Sequence, residues 1–415
     1  MKETGISWAP YIPDNWTLVR IKDIARLQSG EGITSDSIDN IGDYPVFGGN
    51  GLRGYTDKYT NEGNYVLIGR QGALCGNINY ARGKFYASEH AVVVYLRDKN
   101  ESTTWLGETL RVANLNRLSA SAAQPGLAVN VLNFQLIPYP PKEIRKRIGN
   151  YLDEKLTEID ERIDVLKQQQ DAYMQLKKSI ILQAVTRGLN PNVPLKESGI
   201  DRIGMIPEQW ERFRLKDLGY MYSGLTGKSG DDFRCDDISK TKPYVPFTNV
   251  LNNTVVDNDY FHYVVMGDNE QQNQVKTNDL IFLMSSEDYE SIAKSAVVVG
   301  NPGEVYLNSF CRGLRITNRK CYALFINYQL NSEVYRDALR YEARGFTRIN
   351  IKIDRVASHF VSLPPLSEQK VIAAYLDDKC AKIDAAIENI GKQIDASKRL
   401  KRALINEVVT GQRVI

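Results

Sequence analysis

The sequence predicts an α+β protein with an internal pseudo-twofold repeat, in which two β-rich globular domains are separated by two long helices that pair as an antiparallel coiled coil. Two repeated blocks and one heptad pattern carry that expectation. "GISWAPYIPDNWTLVRIKDI" from Gly5 returns as "GIDRIGMIPEQWERFRLKDL" from Gly199, an offset of 194. "YLDEKLTEID" from Tyr151 returns as "YLDDKCAKID" from Tyr375, an offset of 224. The chain is therefore one plan written twice: an entry segment, a variable middle, a Pro-Pro pair and a long helix.

The first block aligns Pro13 with Pro207, Trp16 with Trp210, and Ser29-Gly30 with Ser223-Gly224. Both tryptophans read as packing residues where a domain meets its helix. The second middle is longer by 30 residues and shares little with the first. The resulting division is 1–139 and 196–362 for the β-rich domains. The spans 140–195 and 363–415 hold the helices.

Leu152, Leu156, Ile159, Ile163 and Leu166 recur at alternating spacings of four and three, continued by Gln170 and Tyr173. Leu376, Cys380, Ile383, Ile387, Ile390 and Ile394 repeat the pattern. This is a coiled-coil seam, flanked by charges such as Glu158, Glu161 and Arg162. One such stripe alone would equally suit dimerisation or a buried core face. Two matched stripes in one chain favour an intramolecular antiparallel pair. Pro140-Pro141 and Pro364-Pro365 stand where proline is tolerated, just before each helix. Gly188, followed by Pro191 and Pro194, ends the first one. That helix would run about 65 Å at ~1.5 Å per residue.

In the middles, "YPVFGGNGLRGY" from Tyr44 reads as a hairpin. "NYVLIGRQGALCGNINY" from Asn64 reads as strand, Gly69–Gly72 loop, strand. Arg70 and Gln71 are side chains that can read guanine and adenine edges bidentately. The bland alternative is a plain turn with a solvated arginine. "YMYSGLTGKSG" and "LMSSEDYES" suggest similar polar loops in the second middle.

Composition excludes more than it proposes. With 42% hydrophobic and 25% charged residues the chain is an ordinary soluble one, and a net charge of +3 permits a nucleic-acid partner without demanding it. The N-terminal segment has no apolar signal region, and no apolar run nears the ~20 residues of a membrane span. Cys75, Cys235, Cys311, Cys321 and Cys380 form no CxxC pair, which points away from zinc and disulfides and towards the cytoplasm. The Pro-Pro pairs read "YPPK" and "LPPL", without the polar residue an amino-methyltransferase uses to hold a flipped amine. His90, His262 and His359 are isolated, and no carboxylate cluster suggests a two-metal nuclease. A stand-alone enzyme is disfavoured. A coiled-coil scaffold that binds no DNA is a second alternative, which a salt-dependent binding assay separates.

Taken together, "IPDNWTLVRIKDI", "IPEQWERFRLKDL", "YPVFGGNGLRGYTDKY", "VLIGRQGALCGNINY" and the two "YLD" helices resemble the specificity subunit of type I restriction-modification systems. The likeness covers nearly the whole chain in the family's order. One departure is Lys142-Glu143-Ile144-Arg145, where the second helix has the more typical Ser367-Glu368-Gln369. The resemblance implies a non-catalytic, double-stranded-DNA-binding subunit whose two domains each read half of an asymmetric split target. The paired helices would set the gap and dock two methyltransferase subunits, and restriction subunits could join the same complex. No cofactor is expected in this chain. S-adenosylmethionine, with ATP and Mg2+ for restriction, would belong to the partners. Expected DNA contacts are Gly49, Asn50, Arg53, Tyr55, Arg70, Gln71, Ser88 and His90 in the first domain. In the second they are Lys228, Ser229, Thr248, Asn249, Ser285, Ser286, Arg312 and Arg348. A silent or repurposed member of the family would look the same.

Overall fold

The computed structural model describes every residue except 73, 120–125, 201, 235–239 and 268–269. The chain forms two compact units. The first comprises Met1–Gln168 with Ile390–Ile415, and the second comprises Gln169–Asn389. The long helices run Lys142–Arg187 and Leu366–Val409, so each begins in one unit and ends in the other. Each starts directly after its Pro-Pro pair. The first stops where Gly188 turns to φ +71°.

In the first unit, strands Ala25–Ser29, Ala91–Leu96, Tyr65–Gly69 and Ile78–Ala81 lie side by side in that order, antiparallel throughout. The run Ala91–Val94 is apolar at every position because both of its faces are covered. Val92 and Val94 face a core holding Trp16, Trp105 and Leu110. Val93 faces a smaller core with Leu67 and Phe85. The expected hairpin is present as Tyr44–Gly48 and Gly51–Thr56, and its first strand pairs in parallel with Lys84–Ala87. Thr17–Arg20 pairs with Leu136–Tyr139, tying the entry segment to the chain just before the helix.

The second unit repeats the plan. Gly219–Ser223, Cys311–Ile316, Leu280–Leu283 and Ser295–Val297 form the four-stranded sheet. Thr241–Val245 pairs in parallel with Tyr306–Leu307, and Glu211–Arg214 pairs with Phe360–Leu363. The repeated Ser-Gly now has its reason. A Cβ on Gly30 would collide with the Ala87 carbonyl oxygen, and one on Gly224 with that of Asn308. At both positions only glycine lets the strand end approach so closely.

Each domain core takes a turn from the start of one helix and a turn from the end of the other. Ile148, Leu152, Val408 and Val409 join Trp16 in the first unit. Ile372, Leu376, Ala184 and Val185 join Trp210 in the second. The repeated "YLD" phrase serves this docking. Asp153 accepts a hydrogen bond from Thr104 (2.7 Å), and its counterpart Asp377 accepts one from Tyr328 (2.6 Å). Leu152 and Leu376 therefore correct the expected seam: they are domain-core residues. The helix-to-helix apolar contact in the first unit is made by Ile159, Ile163 and Leu166 against Ile390 and Ile394. Leu156 packs on the domain core, Cys380 and Ile383 are buried, and Ile387 and Gln170 are half-buried. Tyr173 is exposed, so the seam does not extend through it.

The departure at Arg145 is a local substitution of one network by another. Gln369 accepts from the backbone N–H of Tyr322, the residue that precedes helix Ala323–Asn331, and donates to the Pro364 carbonyl. In the first unit Arg145 donates to Pro140, the position equivalent to Pro364, and is paired at 2.6 Å with Glu101. Glu101 then accepts from the N–H of Ser102, which precedes helix Thr103–Val112. Both Arg145 and Glu101 are about 95% buried, and the guanidinium lies 3.9 Å over the Tyr139 ring. One glutamine in one domain does the work of an Arg–Glu pair in the other.

Of the five cysteines, Cys235 lies outside the described residues. Cys75, Cys311, Cys321 and Cys380 are free. Among the described residues no helix is long and apolar enough to cross a membrane.

Candidate nucleic-acid interface

The two domains share a backbone frame that their sequences hide. Six main-chain hydrogen bonds of the first recur in the second. Arg70 N–H donates to the His90 carbonyl and Met284 N–H to that of Phe310, at 2.8 and 3.0 Å. Leu127 N–H donates to Arg70 and Ile351 N–H to Met284, again at 2.8 and 3.0 Å. Ser88 to Phe47 is matched by Asn308 to Val245, and Ala91 to Ser88 by Cys311 to Asn308. Glu31 to Ala87 and Gly30 to Ala91 are matched by Leu225 to Leu307 and Gly224 to Cys311. The frame thus puts Arg70 where the other domain has Met284, and His90 where it has Phe310. Main-chain bonds hold the shape, so the side chains on it are free to differ.

In the first domain this frame gathers Gly49, Asn50, Arg70, Gln71 and His90. A Cβ on Gly49 would sit 2.9 Å from the Gln71 carbonyl oxygen, which fastens the hairpin tip onto the Arg70 loop. Gln71 also bridges to Gly126. Asn50 and Gln71 are exposed, and Arg70 is half-buried. Asn50 accepts a 3.0 Å hydrogen bond from Asn77, a residue that sequence reasoning missed. His90 has its Nε2 3.0 Å from Glu89, while its buried Nδ1 makes no hydrogen bond. Arg53 is exposed with its stem against Gly48, and half-buried Tyr55 pairs with Asp39 in the hairpin. Ser88 is fully buried and accepts from the His90 N–H at 3.4 Å, so it shapes the loop rather than facing a ligand.

The second domain divides its expected residues between two places. Lys228 is paired with Glu270, and the hydrogen bonds from Lys228 and Gln272 hold the Glu270 carboxyl down at about 2. Ser229 is exposed and opens a short turn by bonding Asp232. Thr248 and Asn249 lie in the helix Phe247–Asn252. Thr248 shares a 2.8 Å hydrogen bond with Tyr260, and fully buried Asn249 donates to the carbonyls of Asp257 and Tyr260. Asn249 is a structural residue.

Ser285 and Ser286 are also buried, as a short strand paired with Asn350 and Ile349, which corrects the expected open loop. They stand on the frame where Gln71 and its neighbour stand in the first domain. Around them are Arg312, half-buried and donating to Ser309 and Cys311, and Arg348, exposed and stacked 4.2 Å over Phe310. Sequence reasoning missed Phe310 and Phe346, both solvent-exposed beside this strand. The exposed set of arginine, asparagine, glutamine and aromatic side chains can hydrogen-bond base edges, contact phosphates and stack on bases.

The family profile for the type I restriction modification DNA specificity domain matches residues 13–171 and 207–395, and the chain belongs to this family. A stretch of 135 residues is 40% identical to the specificity subunit of the type I restriction enzyme EcoprrI of Escherichia coli, covering 32% of this chain and 33% of that protein. The specificity subunit of the MjaVIII enzyme of Methanocaldococcus jannaschii is 23% identical over 97% of this chain and 93% of its own length. Among solved structures, a chain described in work on complex assembly and conformational transition of the type I R-M system superposes with a TM-score of 0.68 at 16% identity, covering 97% of this chain and all of that one. The HsdS subunit of Thermoanaerobacter tengcongensis gives 0.51 at 16% identity over 97% and 99% of the two chains. The fold is that of this family's subunits.

Proposed function

We propose that this chain is the non-catalytic, sequence-specific DNA-recognition subunit of a type I restriction-modification complex. Each β-rich domain reads one half of a split duplex target. One observation carries this reading: the same main-chain frame holds Arg70, Gln71 and His90 in one domain and, at the equivalent positions of the other, buried Met284 and Ser285 and exposed Phe310. Equivalent frames with unlike side chains suit two half-sites of different sequence, so the target is asymmetric. The two long helices set the gap and dock two methyltransferase subunits, with restriction subunits joining the complex. Base flipping and methyl transfer then belong to the partners, which carry S-adenosylmethionine, and ATP with Mg2+ for restriction.

The test is co-expression with the cognate methyltransferase subunits, followed by single-molecule sequencing of adenine methylation in host DNA. One split, non-palindromic motif methylated on both strands at a fixed gap is the expected result. A stable complex that methylates no motif would overturn the reading and indicate a silent subunit. Absence of any complex would favour a scaffold of another kind.

A further inference from the structure

The tip of the chain between Tyr341 and Asn350 in the second domain has a purpose that the frame does not explain. Phe346 is 105% exposed, with its ring in solvent. A lone exposed apolar side chain is ordinary on a protein surface, but a ring wholly in solvent on a braced loop and flanked by two arginines is chemically suited to a partner with flat, negatively bordered faces. The tip is held rigidly enough to present it. Gly345 sits at φ +144°, where a Cβ would also collide with the Arg348 carbonyl oxygen. Arg344 and Asn350 exchange two main-chain hydrogen bonds of 2.9 Å across the base of the tip. Tyr289 donates to the Gly345 carbonyl at 3.4 Å.

Charge decides among the possible occupants. Arg344 and Arg348 flank the ring on either side in sequence, both are exposed, and neither forms an ion pair among the described residues. Of the three acids on the neighbouring 287–290 turn, Asp288 is bonded by Ser291 and Glu290 by Arg340, while Glu287 is exposed and forms no ion pair with either arginine. Arg344 donates to the carbonyls of Tyr341 and Ala343 and Arg348 stacks on Phe310, but neither meets a countercharge among the described residues, and a protruding aromatic ring between two such guanidiniums matches a base stack bordered by phosphates. An apolar protein groove offers nothing to the arginines. The tip is fastened to the frame through the Ser285–Asn350 pairing, so a ring entering the stack there lies beside the side chains that read the bases.

We propose that Phe346 is a wedge that inserts between two stacked base pairs of the half-site read by the second domain, with Arg344 and Arg348 on the adjoining phosphates. Unstacking costs least at flexible pyrimidine–purine steps, so the wedge adds selectivity at a position no hydrogen bond reads. The inference rests on the DNA-reading function proposed above.

The experiment uses the full chain and duplexes selected by it from a random-sequence pool, with 2-aminopurine placed in turn at each position of the selected site. The wild-type chain is expected to raise emission at one step of one half-site. Phe346→Ala should abolish that rise and weaken binding to the selected duplex at least tenfold, with non-specific binding changed less than twofold. Phe346→Trp should keep both. The ring packs on nothing, so an unchanged thermal midpoint verifies that Phe346→Ala is folded. Equal affinity and equal emission for wild type and Phe346→Ala would overturn the wedge while leaving the DNA-reading function standing. Selection of no preferred duplex by the wild-type chain would overturn both.

Discussion

Lys177 donates to both carboxylate oxygens of Asp384 at 2.6 Å, and its repeat counterpart Lys401 makes the same bidentate contact with Asp160. Each unit thus holds one copy of the same interhelical ion pair, placed by the second repeated block. The carboxylates are 55% exposed in both, which keeps solvent screening high. Lys177→Ala and Lys401→Ala are each expected to cost about 0.5 kcal/mol, as exposed ion pairs do. Denaturant titration of the two single variants checks this. A loss several times larger in either would mean the pair is part of a coupled network.

The Arg145–Glu101 pair should behave differently because it is buried. Arg145→Ala leaves a carboxylate in the interior with no countercharge, at an expected cost of about 3–5 kcal/mol. Changing both residues to glutamine removes the charges together. It should recover much of that loss, since the second domain already closes the same junction with Gln369 alone. Urea unfolding of the single and double variants, followed through the near-ultraviolet signal of the tryptophans, measures the difference.

Arg70 and Asn249 separate recognition from architecture. Arg70→Ala should weaken binding to the preferred duplex by about 1–3 kcal/mol and relax the preference at one position. Its thermal midpoint should hardly change. Asn249→Ala should do the reverse, removing three main-chain bonds from a buried side chain and lowering the midpoint first. Affinity on selected and unrelated duplexes, read alongside thermal melts, tells the two apart.

Burial pushes the His359 imidazole down to about 4, and its Nε2 has no hydrogen-bond partner. The unfolded chain therefore takes up a proton here before the folded one does. The neutral form supports the fold above the ordinary histidine pKa of roughly 6.5, and that support is lost as pH falls from there towards 4. The slope approaches about 1 kcal/mol per pH unit from this group. His359→Gln should flatten the wild-type decline over that window, measured as the difference between two stability–pH curves so that shared carboxylate effects cancel.

The periodic and repeated parts of the molecule were legible in the sequence; the surface chemistry was much less so. Heptad spacing and proline pairs marked both helices, and alternating glycine and apolar runs marked the Tyr44–Thr56 hairpin and the Tyr65–Gly69 strand. The same spacing could not say that Leu152 and Leu376 turn into the domain cores, because that depends on segments hundreds of residues away. Polar residues were harder still. Ser88, Asn249, Ser285 and Ser286 look like ligand contacts in a linear reading, yet each is buried by chain distant in sequence. The equivalence of Arg70 with Met284 was invisible, since the frame that relates them is built of main-chain bonds, which leave no trace in side-chain identity.

The exchange of helix ends also orders the assembly of the chain in time. Residues of the second unit form one uninterrupted segment, whereas the core of the first includes Leu404, Ile405, Val408 and Val409. On the ribosome, the β-rich domain that emerges first therefore waits for a helix made after the whole of the second one. Until then Trp16 and Leu152 lack part of the surface they pack against. The domain translated last is the first that can finish folding, and the nascent chain must hold an incomplete apolar core through the synthesis of its own twin.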